Sequence, residues 1–255
     1  MVNVSLNKLE KLSFRVNEAY KTLRTNIRFS GRDIKVIALT STIPNEGKTS
    51  VSMNLARCFA EDGKNVLLID ADIRKSVVAA RYERNIEVPG LTHYLTGQAG
   101  INDIVCNINE VINLYMIFTG VSAPNPSELL GTDRFKQMIE LMRENFDFVI
   151  IDCPPLGSVI DAAVVAESCD GAAIVVECDN VSYRMIQRTK EQLDKANVHI
   201  LGAILNKVPV RTGKGYYGKY YGKYYGRYYG NYYGSYGDYG DSTADGSSGE
   251  YEDED

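Results

Sequence analysis

Residues 42–49 read Thr42-Ile43-Pro44-Asn45-Glu46-Gly47-Lys48-Thr49, the spacing of a phosphate-binding loop, G-x-x-x-x-G-K-[ST], with Thr42 in place of the first glycine. In such a loop Gly47 lets backbone amides approach phosphate oxygens. Lys48 reaches the β and γ oxygens, Thr49 offers a hydroxyl to magnesium, and a helix N-terminus follows. Two more segments end an apolar run in carboxylate: Val66–Ile69 into Asp70-Ala71-Asp72-Ile73-Arg74, and Phe148–Ile151 into Asp152-Cys153-Pro154-Pro155. A lone Asp after a strand is usually a turn or cap residue. Three converging on a phosphate loop compose a site for a hard cation, which takes carboxylate and hydroxyl oxygens. The chemistry this points to is that of ATP with Mg2+, and Thr42, Asn45, Glu46, Gly47, Lys48, Thr49 and Ser50 are the loop residues expected to line the nucleotide.

These groups meet only if the elements before them run to one edge. Short β-rich apolar runs at 35–40, 65–70, 114–119, 148–152, 172–178 and 199–206 alternate with helical patterns at 49–61 and 133–145. Continuous apolar strands predict a parallel sheet buried on both faces. Phe135, Met138, Ile139 and Met142 follow the i, i+3, i+4, i+7 spacing of one buried helix face. The predicted fold is therefore α/β, a doubly wound, mostly parallel sheet of the P-loop NTPase type, in which ligands bind at the carboxyl ends of the strands. A further helix is expected over about 13–30, with Tyr20, Leu23 and Ile27 in one arc and Glu18, Lys21, Arg24 and Arg28 in another.

The chain divides by composition into 1–210 and 211–255. The second part carries a four-residue repeat of paired tyrosines, Tyr216-Tyr217, Tyr220-Tyr221, Tyr224-Tyr225, Tyr228-Tyr229 and Tyr232-Tyr233, followed by Tyr236 and Tyr239, so the last 40 residues hold 13 of the 18 tyrosines. Glycine at every fourth position and the lack of Val, Leu or Ile after Val210 leave nothing to offset the entropy of ordering, which predicts a flexible display of phenols. This tail has 5 basic and 8 acidic residues, −3 of the total charge of −5, so the folded part is close to neutral at −2. That is no nucleic-acid footprint. The five cysteines lack CxxC spacing and read as reduced thiols, and no stretch approaches the roughly 18 apolar residues of a membrane span. A cytoplasmic chain is expected. His93 and His199 have no partner spacing for metal or nucleophilic chemistry.

With these motifs on the page the chain resembles the bacterial tyrosine kinases of capsule and exopolysaccharide synthesis, which use a P-loop fold. The likeness also rests on residues 18–26, on Gly90-Leu91-Thr92, on Pro124-Asn125-Pro126-Ser127-Glu128-Leu129-Leu130, on Asp161-Ala162 after the Asp152 segment, and on 201–206. The resemblance implies that Lys48 binds phosphate and that Thr49, Asp72 and Asp152 hold magnesium directly or through water. It makes Asp70 the base for an incoming phenol and Asn206 an adenine contact. It implies that the tail tyrosines are phosphorylated in trans within a ring of subunits joined through Glu18, Lys21 and Arg24. Lys21 stands where the family motif has arginine, and a lysine cannot fork onto a carboxylate. Ser76 stands where the family often has proline, and the contact made by Arg74 is open. A membrane adaptor as activator, a position at the inner face of the membrane and a cognate phosphatase are implied likewise.

Two other readings stand beside it. A Min/Par-type partition ATPase shares the aspartate motifs, but it carries K-G-G-x-G-K-T where this chain has Ile43, Pro44 and Asn45, and it lacks a tyrosine tail. A self-associating Tyr/Gly tract on an inert domain would explain the tail alone and leave the three phosphate motifs idle.

Overall fold

The structure is a computed structural model and describes residues 1–31 and 33–209. The tyrosine repeat lies outside the described residues. In chain order the elements are β1 (Val2–Val4), α1 (Phe14–Phe29), β2 (Val36–Ser41), α2 (Lys48–Glu61), β3 (Val66–Asp70), α3 (Val78–Arg81), α4 (Leu91–Leu95), α5 (Ile101–Ile104), β4 (Val105–Ile108), β5 (Leu114–Ile117), α6 (Pro126–Leu130), α7 (Asp133–Asn145), β6 (Phe148–Asp152), α8 (Asp161–Ala166), β7 (Gly171–Glu177), α9 (Tyr183–Lys195) and β8 (Ile200–Asn206).

The strands form one sheet in the order β1-β4-β5-β3-β6-β2-β7-β8. Every neighbouring pair is parallel except β4 with β5. Alternate residues of the central strands enter two different cores, as the continuous apolar runs require. Ile37 and Leu39 of β2, with Val66 and Leu68 of β3, pack with Ile27 of α1 and Val51, Leu55 and Phe59 of α2. Val36, Ala38, Leu67 and Ile69 pack on the opposite face with Phe135, Met138, Ile139 and Met142 of α7 and Leu193 of α9. The four α7 residues are the ones its 3.6-residue period selects, and Thr132 caps that helix through Phe135 N–H at 3.4 Å.

The predicted strands and the two predicted helices of the body are present within a residue or two at their ends, β5 being the one that stops two residues short, at Ile117. The short edge strand β1, its neighbour β4 and the helix α9 were not read from the sequence. Three- and four-residue strands carry too little alternation to stand out, and α9 buries only Thr189 and Leu193, so its apolar stripe is thin.

The strand order decides the rest. β3, β6 and β2 are consecutive neighbours, with Asp70 opposite Asp152 and Asp152 opposite Leu39. The carboxylates that end β3 and β6 therefore stand side by side next to the loop that leaves β2.

Candidate functional site

The loop from Thr42 to Gly47 is held from several sides. Gly47 caps α2 at φ 87°, in the left-handed region, and a Cβ there would lie 2.2 Å from Nδ2 of Asn206. Glycine is required on both grounds. Asn206 Nδ2 donates to the Glu46 carbonyl at 2.9 Å, and Lys207 Nζ donates to the Asn45 carbonyl at 2.6 Å while pairing with Glu177 at 3.1 Å. The end of β8 thus grips the loop through two carbonyls. Asn45 itself takes φ 69°, a conformation asparagine tolerates better than most residues.

Two residues expected to line a nucleotide turn their side chains inward. Glu46 is fully buried, and its carboxylate accepts from Ile43 N–H at 2.8 Å and from Glu177 N–H at 3.0 Å. Its side chain braces the loop against β7 and leaves only its backbone for a ligand. Thr42 is also buried, with its hydroxyl 3.3 Å from that of Thr189 on α9. A Cβ on Gly157 would stand 2.1 Å from the Thr42 carbonyl, so the chain after β6 packs directly on this position. The departure from glycine at position 42 is absorbed by α9.

Lys48 and Asp152 form a buried pair, Nζ to Oδ1 at 2.8 Å. Burial opposes the charge on Lys48, but the Asp152 carboxylate more than offsets it by attraction and hydrogen bonding, and the ammonium is held above its ordinary range. Ser52, one turn after Lys48 on α2, places its hydroxyl 3.1 Å from the same Oδ1. Sequence reading missed Ser52, although its i+4 spacing from Lys48 puts the two on one helix face. The other oxygen, Asp152 Oδ2, is buried and has no hydrogen-bond partner. An orphaned anionic oxygen beside a phosphate loop fits a cation or the water of its hydration shell. No group of three or more His, Cys, Asp or Glu is placed to cage a metal among the described residues. Magnesium suits such a site, since it is commonly bound by one or two carboxylates together with substrate phosphates.

Asp70 is 1% exposed. Its Oδ1 accepts from Asp72 N–H at 3.3 Å and its Oδ2 from the Ser76 hydroxyl. Burial, and next the Asp152 carboxylate, push Asp70 up to about 7, against the Ser76 bond. Asp72 is half-buried and accepts Lys75 N–H at 3.1 Å. At the first turn of α2, the Ser50 hydroxyl accepts from Arg81. Cys153 is fully buried with its thiol pushed well up by that burial, as a filler would be.

The predicted groups Lys48, Thr49, Ser50, Asp70, Asp72, Asp152 and Asn206 therefore gather at one sheet edge. Glu18, Lys21 and Arg24 do not join them. Lys21 pairs with Glu18 at 2.7 Å on the surface of α1. Arg24 turns toward the far end of α2, donating to the Cys58 carbonyl at 2.7 Å and pairing with Asp62 at 3.2 Å. Arg74, whose contact was open, forks onto Asp161, and Ser127 joins the pair.

The AAA domain family matches residues 34–203. Tyrosine-protein kinase CpsD of Streptococcus pneumoniae is 39% identical over 221 residues, which is 85% of this chain and 96% of that protein. The solved BceF tyrosine kinase domain superposes with a TM-score of 0.69 at 35% identity, covering 76% of this chain and 78% of that one. The septum site-determining protein MinD of Pyrococcus horikoshii, solved with Mg-ADP, shares the fold at a TM-score of 0.60 and 24% identity, over 70% of this chain and 72% of its own.

Proposed function

The chain belongs to the bacterial tyrosine-protein kinases, and on that premise we propose that it serves capsule or exopolysaccharide synthesis by transferring the terminal phosphoryl group of magnesium-ATP to the tyrosines of its own C-terminal segment, in trans. The observation that carries this reading is the Asp152 carboxylate. One of its oxygens is tied to Lys48 and Ser52 and the other is buried without a partner, beside a loop built to receive phosphate.

In this reading Lys48 binds the β and γ oxygens, and the amides after Asn45 cradle the phosphates. Thr49, Asp72 and Asp152 hold magnesium directly or through water; when bound, the ion neutralises phosphate charge. Asp70 orients the phenol. The phenol oxygen bonds to the γ phosphorus, the bond to the ADP oxygen breaks, and the phenol proton leaves to Asp70 or water. Because the transition state is loose, positioning and charge neutralisation contribute more than proton removal. Asp70 is covered by Ser76, so the phenol displaces that hydroxyl to reach it.

Asn206 is read as contacting adenine from the position where it already holds the Glu46 carbonyl. Glu18, Lys21 and Arg24 join subunits into a ring that presents each tail to a neighbour. No helix among the described residues is long and apolar enough to cross a membrane. An adaptor of the polysaccharide co-polymerase type would bring the kinase to the inner face of the membrane, and a cognate phosphatase would reverse the label.

The test is incubation with magnesium-ATP, with and without a membrane fraction of the host. Phosphotyrosine is probed in the wild type, in Lys48→Met and in a truncation after Val210. Label that needs Lys48 and disappears with the tail supports the reading; ATP hydrolysis with no tyrosine labelled in either condition overturns it.

A further inference from the structure

Three sequence segments that the reaction leaves unused meet at one buried carboxylate. Asp161, the first residue of α8, is fully buried. Its Oδ2 accepts from Arg74 Nε at 2.6 Å and its Oδ1 from Arg74 Nη2 at 2.9 Å, a two-point fork. Ser127, in α6, donates to Oδ1 at 2.8 Å and accepts from Arg74 Nη2 at 3.2 Å. Arg74 is the only cation paired with Asp161 among the described residues, and its own side chain is 39% exposed.

The fork holds a weakly anchored stretch of chain. Residues 74–77 are all exposed, between the buried Ile73 and the start of α3 at Val78. Just before them, Asp72 takes its place from two local bonds, its own N–H to Asp70 and Lys75 N–H to its carboxylate. Ala71 N–H still bonds the Asp152 carbonyl at 2.9 Å, but beyond it the backbone tie across the fold is a long one, Ala123 N–H to the Ile73 carbonyl at 3.5 Å. Burying a carboxylate costs several kcal/mol unless a charge and hydrogen bonds compensate it. Packing α6 against α8 does not need such a group, whereas fixing an exposed strand-end loop does. A planar guanidinium locked at two points fixes the chain that carries it in both position and rotation.

We propose that Asp161 is a positioning residue for phosphoryl transfer: through Arg74 it locks the 72–76 segment, beyond the end of β3, so that Asp72 faces Asp152 and the phosphate loop, and Ser127 ties α6 to the same lock. The inference rests on the reading of Asp72 given above. Asp161 touches neither nucleotide nor phenol in it.

The test uses the full chain carrying Asp161→Asn, Arg74→Ala or Arg74→Lys, and the Arg74→Ala/Asp161→Asn pair. Loss of a partner that orients a ligating group typically costs 10–100-fold. Asp161→Asn is expected to lower the rate of tyrosine labelling at saturating ATP about 10–100-fold, while KM for ATP stays within about threefold because the loop and Lys48 are untouched. The magnesium concentration needed for half-maximal binding of a fluorescent ATP analogue should rise, a readout independent of turnover. Arg74→Lys should not restore the wild-type rate, and the double variant should be no slower than the worse single one. Full labelling in folded Asp161→Asn overturns the proposal, and so does a loss accompanied by an unchanged magnesium requirement. An additive double variant overturns it as well. Retained binding of the analogue reports folding, and Arg74→Ala, altered at a partly exposed side chain, supplies the same test without touching the buried position. If the wild type hydrolyses ATP but labels no tyrosine, the site reading fails separately, and the same variants are judged on hydrolysis rate and magnesium requirement.

Discussion

Replacing Glu46 by glutamine separates bracing the phosphate loop from touching the nucleotide. The carboxylate has two acceptor oxygens and serves two backbone donors, Ile43 N–H at 2.8 Å and Glu177 N–H at 3.0 Å, in a fully buried place. Glutamine keeps the shape but offers one oxygen and one NH2, so one amide meets a donor instead of an acceptor. A buried donor left without a partner costs about 1–3 kcal/mol. At about 2–4 °C per kcal/mol for a domain of this size, the melting temperature should fall by roughly 2–12 °C. Part of the same cost appears in ATP binding, because amides that cradle phosphate must be held in place before the ligand arrives; each 1.4 kcal/mol is tenfold, which makes a loss of up to about tenfold in affinity. Labelling at saturating ATP should stay within a few-fold of wild type. Differential scanning fluorimetry, titration of a fluorescent ATP analogue and initial labelling rates measure the three quantities. Unchanged melting with unchanged affinity would refute the bracing argument. A collapsed labelling rate with unchanged affinity would place Glu46 in the chemistry instead.

Other expectations follow from the same structure. Lys48→Met leaves Asp152 buried without its cation, so besides abolishing phosphotyrosine it should cost about 3–5 kcal/mol of stability, seen as a lower urea midpoint. Asp170 accepts from Lys35 N–H at 2.8 Å and Val36 N–H at 2.7 Å and pairs with Arg143; although burial opposes it, these bonds hold its carboxyl below the ordinary 3.8. Its stabilisation is therefore fully present above that value and is lost as the pH falls through the lower native one. The urea midpoints of wild type and Asp170→Asn should differ at pH 7 and converge toward pH 3, and a constant gap would contradict the assignment. In the tyrosine repeat, changing one residue, such as Tyr225→Phe, should barely alter signalling if output follows total added charge, about −1.5 to −2 per phosphate. A single replacement that silenced signalling would show that one site is decisive.

The fold class was legible because each central strand is a near-continuous apolar run, a pattern that survives without knowledge of its neighbours. The α7 face was legible for a similar reason: four buried residues at helical spacing need no tertiary information. β1 was not, because it pairs with β4 about a hundred residues away rather than showing a periodic pattern, and β4 is too short, at four residues, to show one. The site was legible in part. Asp70 and Asp152 end strands, Asp72 follows one, and Lys48 and Thr49 open the helix after the loop that leaves β2, and in a doubly wound sheet that alone brings them to one edge. Glu46 and Thr42 were read as lining the nucleotide because they lie within the loop motif, but a motif does not tell which side chains turn inward. Arg24 was read with the charged arc of α1, yet it lies near the border of that arc, and the packing of α1 on α2 draws it to Asp62 and the Cys58 carbonyl.

By itself, then, the sequence determined the type of chemistry: a row of phenols, a loop that binds phosphate and carboxylates at two strand ends, the last two being local patterns that chain connectivity and strand direction carry to one edge of the sheet. Tertiary structure alone decided which of these groups touch. Lys48 on Asp152, Arg74 on Asp161 and Asn206 on the Glu46 carbonyl join residues 104, 87 and 160 positions apart. Such contacts depend on strand order and register. Those are set by the packing of two cores on one sheet, and the periodicity of a single segment carries no record of them.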